Sequence, residues 1–554
     1  MGKKYDDWAR EELLKEVKQL AKHKKYGLVW ENKDEKVVEL CKTQLPTLEE
    51  VKEKQISDQN ASLHHFLIEG DNYHSLSVLN YTHAKKVDLI YIDPPYNTGN
   101  KDFIFNDHYV DKEDAYRHSK WLSFMAKRLT LAKSLLKNTG VIFISINDVE
   151  QAQLKMLCNE VLGENNFVGQ FIWRKKEGGG QTDNYFVTEH EYVLVYAKSS
   201  NFSWLDELIP DSEANFNKSD DEGSYTAVKL AKWGNSSRKE DRPKMHFPIK
   251  APNGKNVYPV APDGSAGRWR VGKVKMAQLI KAQLVEWQEK DGRWIAYEKI
   301  YFDGEKIKKI KERSILYELA TTADGTNELT AIFGKKDTFD NPKPTELIKF
   351  FLRHGANSDA IVLDFFAGSG TTAQAVVEMN EEDGGLRQFI ICTNNENNNG
   401  SKLKIATDIC YPRIKGMLNS KSGAGDFRYY KTRFVKKVIT DKDKRDFVHQ
   451  ATEMLCLSEY TFTPLLVEEG KFALFENAKQ ATGIIYDEDN IDKFKEAANK
   501  IDKPLVIYVF SYDSSYDEDD FADIKDLIKV KPIPAVILNV YEKIARENTK
   551  RINL

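Results

Sequence analysis

Asp93-Pro94-Pro95-Tyr96 is the segment whose residue types most directly suggest chemistry. Two consecutive prolines remove two backbone N–H groups and make a turn rigid. The Asp93 carboxylate and the Pro94 carbonyl then form a fixed pair of acceptors, which suits the two donors of an exocyclic –NH2 group. The Tyr96 ring can stack on a flat base. An ordinary strand-terminating turn is the alternative, but ligands of open α/β sheets bind at the C-terminal ends of strands, where this turn is expected.

A second turn, Phe366-Ala-Gly368-Ser-Gly370, lies between a predicted strand and a predicted helix. Glycines let a ligand approach the backbone, and the start of the helix offers unpaired N–H groups. The dinucleotide pattern G-x-G-x-x-G is not met, because Ala373 stands at its last glycine position. Alone, this turn indicates either a ligand site or a tight structural turn.

The segment 229–281 is strongly basic in a chain whose net charge is only −3. It contains thirteen Lys/Arg and three acids, so it carries +10 and the rest of the chain carries −13. Such an asymmetry favours a polyanionic partner for this segment. Four aromatic residues, Trp233, Phe247, Tyr258 and Trp269, are interleaved with the charges, and we expect most of them to pack a small core.

Alternating strands and helices must position these residues. Apolar runs predict strands, and helical periodicity with stop signals predicts the segments between them. The predicted strands are 87–92, 141–146, 190–197, 360–363 and 388–392, and the predicted helices are 116–136, 149–161, 343–351 and one from Ala373. This order predicts an α/β layer with a mostly parallel sheet, interrupted where the periodicity breaks down between about 200 and 335.

Five segments follow from this pattern. We predict a helical extension at 1–60, in which Leu13, Leu14, Val17 and Leu20 recur at helical spacing. The two halves of one α/β domain are predicted at 61–200 and 336–434, split by an insertion at 201–335. A smaller α/β domain is predicted at 435–554, with parallel strands at 504–510 and 535–540 around a helix near 519–529.

Composition excludes several classes of protein. With 41% hydrophobic and 30% charged residues, the chain is not collagen-like, low-complexity or fully disordered. No apolar stretch approaches the roughly 18 residues of a spanning helix, and no apolar region follows the N-terminal lysines. Five cysteines without a Cys-x-x-Cys pair predict thiols in a reducing compartment. We therefore expect a cytoplasmic protein with no metal site and no membrane contact.

The two turns together resemble the amino-methylating DNA methyltransferases that use S-adenosylmethionine. The order of motifs, catalytic turn first and cofactor turn after the insertion, is similar to the β group of that family. Three stretches carry the resemblance: Asp93–Asn100, Asn341–Ile348 and Leu363–Thr372. With the chain length, the stretch Lys531–Leu538 and the extra C-terminal segment, the sequence resembles the Mod subunits of type III restriction–modification systems.

The resemblance implies a fold, a reaction and partners. The fold would be a Rossmann-like S-adenosylmethionine-dependent methyltransferase domain, split by a target-recognition domain and followed by a C-terminal domain for dimerisation or docking. The reaction would be methyl transfer to N6 of an adenine flipped out of double-stranded DNA. The partners would be a second copy of the chain and a restriction (helicase/nuclease) subunit. The sequence has no phosphate-binding G-x-x-x-x-G-K-[ST] motif, so any ATP-driven translocation would reside in another chain.

The resemblance also assigns roles residue by residue. Asp93, Pro94 and Tyr96 would hold the target base, and Pro95 would shape the turn. The residues assigned to the cofactor are Asp364, Phe366, Gly368 and Gly370, the closing segment Lys343, Pro344, Thr345 and Glu346, and Glu396. Glu396 is the acid nearest to the expected ribose-binding position, which reads Cys392-Thr-Asn-Asn here. The residues expected to contact DNA are Arg238, Lys239, Arg242, Lys244, Arg268 and Arg270.

Three other functions stay open from the sequence. Cytosine offers an exocyclic –NH2 to the same acceptors, so N4-cytosine methylation is the first, although the tyrosine after the prolines favours adenine. The second is a catalytically inactive DNA-binding specificity subunit, which the intact turns argue against. The third is RNA methylation, which the size of the insertion disfavours.

Overall fold

Apolar runs and amphipathic segments alternate along the first part of the chain, and they form the strands and helices expected of them. The strands are β1 Gln44–Glu50, β2 His64–Glu69, β3 Val87–Ile92, β4 Ile104–Phe105, β5 His108–Tyr109, β6 Leu136–Ile146, β7 Phe167–Arg174 and β8 His190–Ala197. The helices are α1 Lys36–Leu40, α2 Asn72–Thr82, α3 Arg117–Leu135 and α4 Gln151–Cys158. The predicted strands at 87–92, 141–146 and 190–197 are confirmed.

The computed structural model describes most of the chain, and its residues form two compact units. Described are residues 10–11, 13–14, 28–57, 63–178, 185–210, 216–303, 307–336, 338–397, 402–421, 423–524 and 527–552. One unit contains Met1–Leu205 and Arg313–Leu554, and the other contains Asp206–Glu312. The insertion therefore exists, but it is shorter than the predicted range 201–335.

The inserted unit is mainly a small antiparallel structure. Its strands are β9 Glu207–Pro210, β10 Lys218–Asp220, β11 Gly223–Lys229, β12 Ile249–Lys250, β13 Asn256–Val257, β14 Val285–Lys290, β15 Arg293–Tyr301 and β16 Ile307–Ile310, and its helix is α5 Lys273–Lys281. Four strands form a sheet in the order β10-β11-β15-β14. Two of the four interleaved aromatics, Phe247 and Trp269, are buried in its core, whereas Trp233 and Tyr258 are exposed.

The chain then returns to the first unit. The elements are β17 Ile315–Leu316, α6 Thr322–Phe333, α7 Thr345–Gly355, β18 Ile361–Asp364, α8 Thr371–Asp383, β19 Gln388–Thr393, α9 Tyr411–Asn419 and β20 Asp426–Lys436. Residues 313–335 belong here and not to the insertion, because β17 pairs with β7 and α6 is bonded to α7 through Glu328 and Thr345.

Ten strands form one sheet in the order β1-β20-β2-β19-β18-β3-β6-β8-β7-β17. The strands from β20 to β6 in this order pair in parallel, and β8 runs antiparallel to both of its neighbours. Alternate residues face opposite sides, so Ile90 and Ile92 pack in one core with α2 and α3, while Leu89 and Tyr91 pack in another with α7 and α8. The predicted Rossmann-like α/β architecture is confirmed.

The two candidate turns follow neighbouring strands. β3 pairs with β18 in parallel through Leu89 with Val362 and Ile90 with Leu363. The chain winds outward from this pair in both directions, to β6 on one side and to β19 on the other. This is the switch point of an open sheet, where adjacent strand ends leave a crevice for ligands.

The N-terminal prediction was partly wrong. Residues 1–60 do not form a helical extension, because Gln44–Glu50 is a strand at the edge of the large sheet, paired antiparallel with β20. Arg10, Glu11, Leu13 and Leu14 are helical, and both leucines are exposed. Val17 and Leu20 lie outside the described residues.

The C-terminal segment forms a five-stranded sheet. Its elements are α10 Asp441–Gln450, α11 Thr452–Glu459, β21 Thr463–Glu468, β22 Phe472–Glu476, β23 Ala481–Ile485, α12 Ile491–Ala498, β24 Leu505–Phe510, β25 Leu527–Ile533 and α13 Ala535–Ile552. The strand at 504–510 is confirmed, and its parallel neighbours are β23 and β25. The predicted helix near 519–529 is wrong, since only a short 3-10 turn occupies Asp519–Phe521 and β25 follows.

The predicted strand at 535–540 is also wrong, because this stretch begins a helix. Ile537, Tyr541 and Ile544 are buried at helical spacing. The Tyr541 hydroxyl donates to the Pro46 carbonyl oxygen at 2.5 Å. The C-terminal segment is therefore packed on the large sheet as part of the first unit. Among the described residues, no helix combines the length and apolarity needed to cross a membrane.

Candidate active site

A cleft of about 730 Å³ opens at the C-terminal ends of β3 and β18. Asp93, Pro94, Pro95 and Tyr96 all line it, together with residues of the glycine turn. The two predicted turns therefore face one cavity. Its volume lies within the range of small-molecule sites in proteins, which is roughly 300–1,000 Å³.

The Asp-Pro-Pro-Tyr turn is held from behind by buried groups. The indole N–H of Trp121, a fully buried residue of α3, donates to the Pro95 carbonyl oxygen at 2.7 Å. Asn97 has a left-handed φ of 59°, which asparagine tolerates better than most residues, and its side-chain amide donates to Glu150 at 2.6 Å. Burial raises the pKa of Glu150, although its bonds to Asn97 and His118 oppose that shift. The chain is thereby fixed on both sides of Tyr96.

Asp93 belongs to a network of five side chains. The Tyr96 hydroxyl donates to Asp93 Oδ1 at 2.7 Å and lies 3.1 Å from Glu191 Oε2. Lys343 Nζ lies 2.8 Å from Asp93 Oδ2, 3.1 Å from the Tyr96 hydroxyl and 3.3 Å from Glu191 Oε2. Lys175 Nζ pairs with the other Glu191 oxygen at 2.9 Å. Two carboxylates and two ammonium groups thus compensate each other around Tyr96.

The charged states of this network support one another. Burial lowers the pKa of Lys343, but the Asp93 and Glu191 carboxylates more than offset this, so the pKa lies above its usual range. Burial raises the pKa of Glu191, and the Lys343 and Lys175 ammonium groups reverse that shift, so the net pKa is lowered. Both buried groups are therefore ionised near neutral pH.

The glycine turn is stabilised by the residue that precedes it. The Asp364 carboxylate accepts from the Phe366 backbone N–H at 2.9 Å and from the Thr372 hydroxyl at 2.6 Å. Both Gly368, with a φ of 49°, and Gly370, with a φ of 84°, are in the left-handed region that favours glycine. A Cβ added to Gly368 would lie 3.0 Å from the Phe339 ring, so a side chain there is strained in conformation and in space.

The predicted cofactor residues fall into two groups. Lys343, Phe366, Gly368 and Glu396 line the cleft. The remaining five do not line it: Asp364, Gly370, Pro344 and Thr345 are buried behind the lining, and Glu346 pairs with Lys349 and Arg353. Thr345 instead donates from its backbone N–H and its hydroxyl to Glu328, which fixes the start of α7.

The six predicted DNA-contact residues lie in the inserted unit. Arg238, Lys239, Arg242, Lys244 and Arg270 are exposed, and Arg238 pairs with Asp263 at 2.7 Å. The prediction that Arg268 contacts DNA is wrong, because its side chain is buried and its guanidinium donates to the Ser236 carbonyl oxygen at 2.6 Å. Arg268 therefore holds a loop of this unit and does not contribute to its basic surface.

Sequence reasoning missed Glu191, Lys175 and Asp71, which also line the cleft. Asp71 caps α2 directly after β2, a strand that the apolar run 66–68 could have revealed. Glu191 lies near the start of β8, and no local signal marks it as a site residue. Among the residues that the structure describes, no three His, Cys, Asp or Glu side chains are arranged to hold a metal ion.

The fold and the cleft define a class of protein. Its members have an open α/β sheet with a ligand crevice at the switch point, and here the crevice is lined by the Asp-Pro-Pro-Tyr turn, whose oxygens can accept hydrogen bonds from an amine. The N6/N4 DNA methylase family model matches residues 87–399, which include both turns and more than half of the chain. The chain belongs to this DNA methylase family.

Three relatives illustrate the similarity. The chain is 37% identical over 393 residues to the Mod subunit of the type III restriction-modification enzyme EcoPI of Escherichia phage P1, covering 62% of this chain and 60% of the relative. It is 37% identical to the StyLTI Mod subunit of Salmonella typhimurium, with 60% and 53% covered. It is 38% identical to the type II methyltransferase M.KpnI of Klebsiella pneumoniae, with 59% and 79% covered. The matches thus span little more than half of each Mod subunit.

Asp364 generates a prediction about stability and pH. Burial raises its pKa from 3.8 to about 7. Between these values the folded protein holds a proton that the unfolded chain has lost, so stability falls as pH rises through this window. Asp364→Asn, which carries no charge, should gain stability relative to the wild type from pH 4 to 7, by about 1.4 kcal/mol per unit of pKa difference.

Urea unfolding at several pH values between 4 and 8 measures this difference. The exposed Asp359→Asn is the matched control and should show no such trend. A pH-independent difference between Asp364→Asn and the wild type would mean that Asp364 is ionised in the folded protein throughout this range.

Proposed function

We propose that this protein transfers a methyl group from S-adenosylmethionine to N6 of a flipped-out adenine in double-stranded DNA, as the modification subunit of a type III restriction–modification system. The observation that carries the proposal is the shared cleft, where the Asp-Pro-Pro-Tyr turn and the glycine turn follow paired parallel strands. Family membership and the similarity to Mod subunits support it.

The residues of the cleft suit S-adenosylmethionine. Eight carboxylates and five lysines line it: Glu35, Asp71, Asp93, Asp102, Asp107, Glu191, Asp340 and Glu396 against Lys36, Lys101, Lys175, Lys176 and Lys343. Behind the lining, Arg128 pairs with Glu35 and Asp71, and Lys127 lies 3.6 Å from Glu35, so the excess of negative charge that can attract a cation is small. Phe366 and Phe339 offer apolar ring surfaces, Gly368 lets a ligand approach the backbone, and Glu396 would accept from ribose hydroxyls. When bound, S-adenosylmethionine supplies a methyl group already activated by its sulfonium.

The Asp-Pro-Pro-Tyr turn prepares the acceptor nitrogen. The exocyclic nitrogen of adenine is a poor nucleophile because its lone pair is delocalised into the ring. Hydrogen bonds from its –NH2 to the Asp93 carboxylate and the Pro94 carbonyl draw the nitrogen toward tetrahedral geometry and orient its lone pair. The carboxylate also stabilises the positive charge that develops on nitrogen, and the Tyr96 ring packs against the base.

The methylated base is the first point to test. Incubation of the full chain with labelled S-adenosylmethionine and either DNA or RNA, followed by digestion to nucleosides, should give N6-methyl-2′-deoxyadenosine from DNA as the labelled product. If N4-methyldeoxycytidine carries the label, the target base is cytosine and not adenine. If the label appears only in RNA, the substrate is RNA and not DNA. Absence of label from every nucleic acid would leave an inactive specificity subunit. Sequencing of the modified bases then gives the recognition site.

We further propose that the inserted unit binds DNA through its exposed basic residues. Replacing Arg238, Lys239, Arg242 and Lys244 together by alanine should flatten the dependence of log K on log salt by about 0.9 for each phosphate that is no longer neutralised. Fluorescence anisotropy with duplex DNA at several salt concentrations measures the slope. A matched fourfold replacement of the exposed Lys437, Lys442, Lys479 and Lys493 should leave it unchanged. Equal slopes in both variants would show the basic segment to be a solvated surface.

We propose a homodimer and a separate restriction (helicase/nuclease) subunit as partners. β21 lies at the edge of the C-terminal sheet and exposes Leu465, Leu466 and Val467, which suits pairing with a second copy. Light scattering on the full chain should give twice the monomer mass. Leu466→Lys with Val467→Lys should halve it, whereas Lys479→Glu, in the exposed turn between β22 and β23, should not. A monomeric wild type contradicts the dimer, and a dimeric double variant contradicts this interface.

Asp93 generates the catalytic prediction. Asp93→Ala should abolish methyl transfer, with a loss on the order of several hundredfold or more, because its charge interaction strengthens toward the transition state. Binding of DNA and of S-adenosylmethionine should stay close to that of the wild type. Single-turnover methylation and equilibrium binding separate the two effects. Asp111→Ala, an exposed acid in the same region, is the control, and near-normal turnover in Asp93→Ala would mean that the turn is only structural.

A further inference from the structure

We propose that Glu191 is a positioning residue, which takes over the hydrogen-bond donors of Asp93 when the target amine enters the cleft. This inference rests on the proposed function, because it concerns how Asp93 becomes free to accept the base. It assigns a role to Glu191, a buried carboxylate of β8 that belongs to neither turn.

Each oxygen of the Asp93 carboxylate already accepts from a donor of the protein itself. Its Oδ1 accepts from the Tyr96 hydroxyl at 2.7 Å, and its Oδ2 pairs with Lys343 Nζ at 2.8 Å. An incoming amine must therefore share the negative charge of this carboxylate with two bound donors, one of them a cation. Lys343 is buried, so its ammonium group can leave Asp93 only if another carboxylate keeps it paired.

Glu191 already contacts both of these donors. Its Oε2 lies 3.1 Å from the Tyr96 hydroxyl and 3.3 Å from Lys343 Nζ, only slightly farther than Asp93 lies from each. A shift of a few tenths of an ångström transfers both donors to Glu191 without leaving either unpaired. Asp93 can then bind the amine, and no buried charge loses its partner.

Lys175 completes the arrangement from the other side. Its ammonium group pairs with Glu191 Oε1 at 2.9 Å and keeps the glutamate in place while Oε2 receives the two donors. The side chains of Glu191 and Lys343 are each 8% exposed, so water cannot easily replace either partner. Without the Glu191 charge, Lys343 would have Asp93 as its remaining close carboxylate in this network and would compete more strongly with the amine.

Glu191→Gln keeps the size of the side chain and removes its charge, so it is the first variant. On a duplex that contains the sequenced recognition site, its turnover should fall about ten- to a hundredfold, the factor associated with one charge-assisted hydrogen bond. Glu177→Gln, an exposed acid that follows β7, is the matched control and should match the wild type.

A second readout does not depend on the cofactor. A duplex with 2-aminopurine beside the target adenine reports extrusion of that adenine by its fluorescence, and the target keeps the 6-amino group that Asp93 would bind. In the absence of S-adenosylmethionine, Glu191→Gln should give a smaller fluorescence increase than the wild type at equal DNA occupancy, as measured by anisotropy. A merely structural defect would lower occupancy and leave the fluorescence per bound duplex unchanged, which would overturn the proposal.

The decisive comparison removes Lys343 as well. If Glu191 acts by drawing Lys343 from Asp93, then Glu191→Gln should cost little in a Lys343→Met background. The double variant should therefore turn over about as fast as Lys343→Met alone. This comparison also holds if Glu191→Gln by itself fails to fold, because the double variant contains neither buried charge.

The outcomes separate this inference from the proposed function. A wild type without methyl transfer to any DNA contradicts the proposed function itself. An active wild type whose turnover is unchanged by Glu191→Gln overturns only the inference. So does a double variant that loses a further tenfold or more relative to Lys343→Met.

Discussion

The parallel pairing of β3 with β18 is the constraint on which the rest of the site depends. The two strands are separated by more than 260 residues of sequence, yet they are hydrogen-bonded neighbours at the centre of the sheet. Their carboxyl ends therefore open to the same side, and both turns line one cleft. The insertion can stand between them in sequence because it leaves and re-enters the first unit without breaking this pair.

Strand direction explains which site residues sequence reasoning could find. Asp93 and Gly368 follow parallel strands, so the rule that ligands bind at the carboxyl ends of strands made both turns candidates from the sequence, and the family resemblance assigned their roles. Glu191 is near the beginning of β8, which runs antiparallel to its neighbours, and its start reaches the edge where the parallel strands end. The apolar run 192–197 predicts the strand but not its direction, so Glu191 could not be placed in the site.

The sequence also does not reveal which polar side chains are buried, and this limited the prediction of site residues. Charge counting treats Arg268 and Arg238 alike, but Arg268 bonds to a backbone carbonyl in the interior and Arg238 pairs with an exposed acid. Thr345 and Asp364 are also buried behind the cleft lining, where Asp364 holds the glycine turn and Thr345 fixes the start of α7. At 535–540 the apolar residues fit either a strand or a helix, and only Tyr541 and Ile544, farther along the chain, show the helical face.

The distribution of charge separates two kinds of ligand between the two units. The cleft of the first unit has an excess of carboxylates, which favours a cationic cofactor and disfavours phosphate groups. The basic surface belongs to the inserted unit, where lysine and arginine side chains are exposed. Under the proposed function, a neutral base enters the cleft, and the ion pairs around Tyr96 govern whether its amine reaches Asp93.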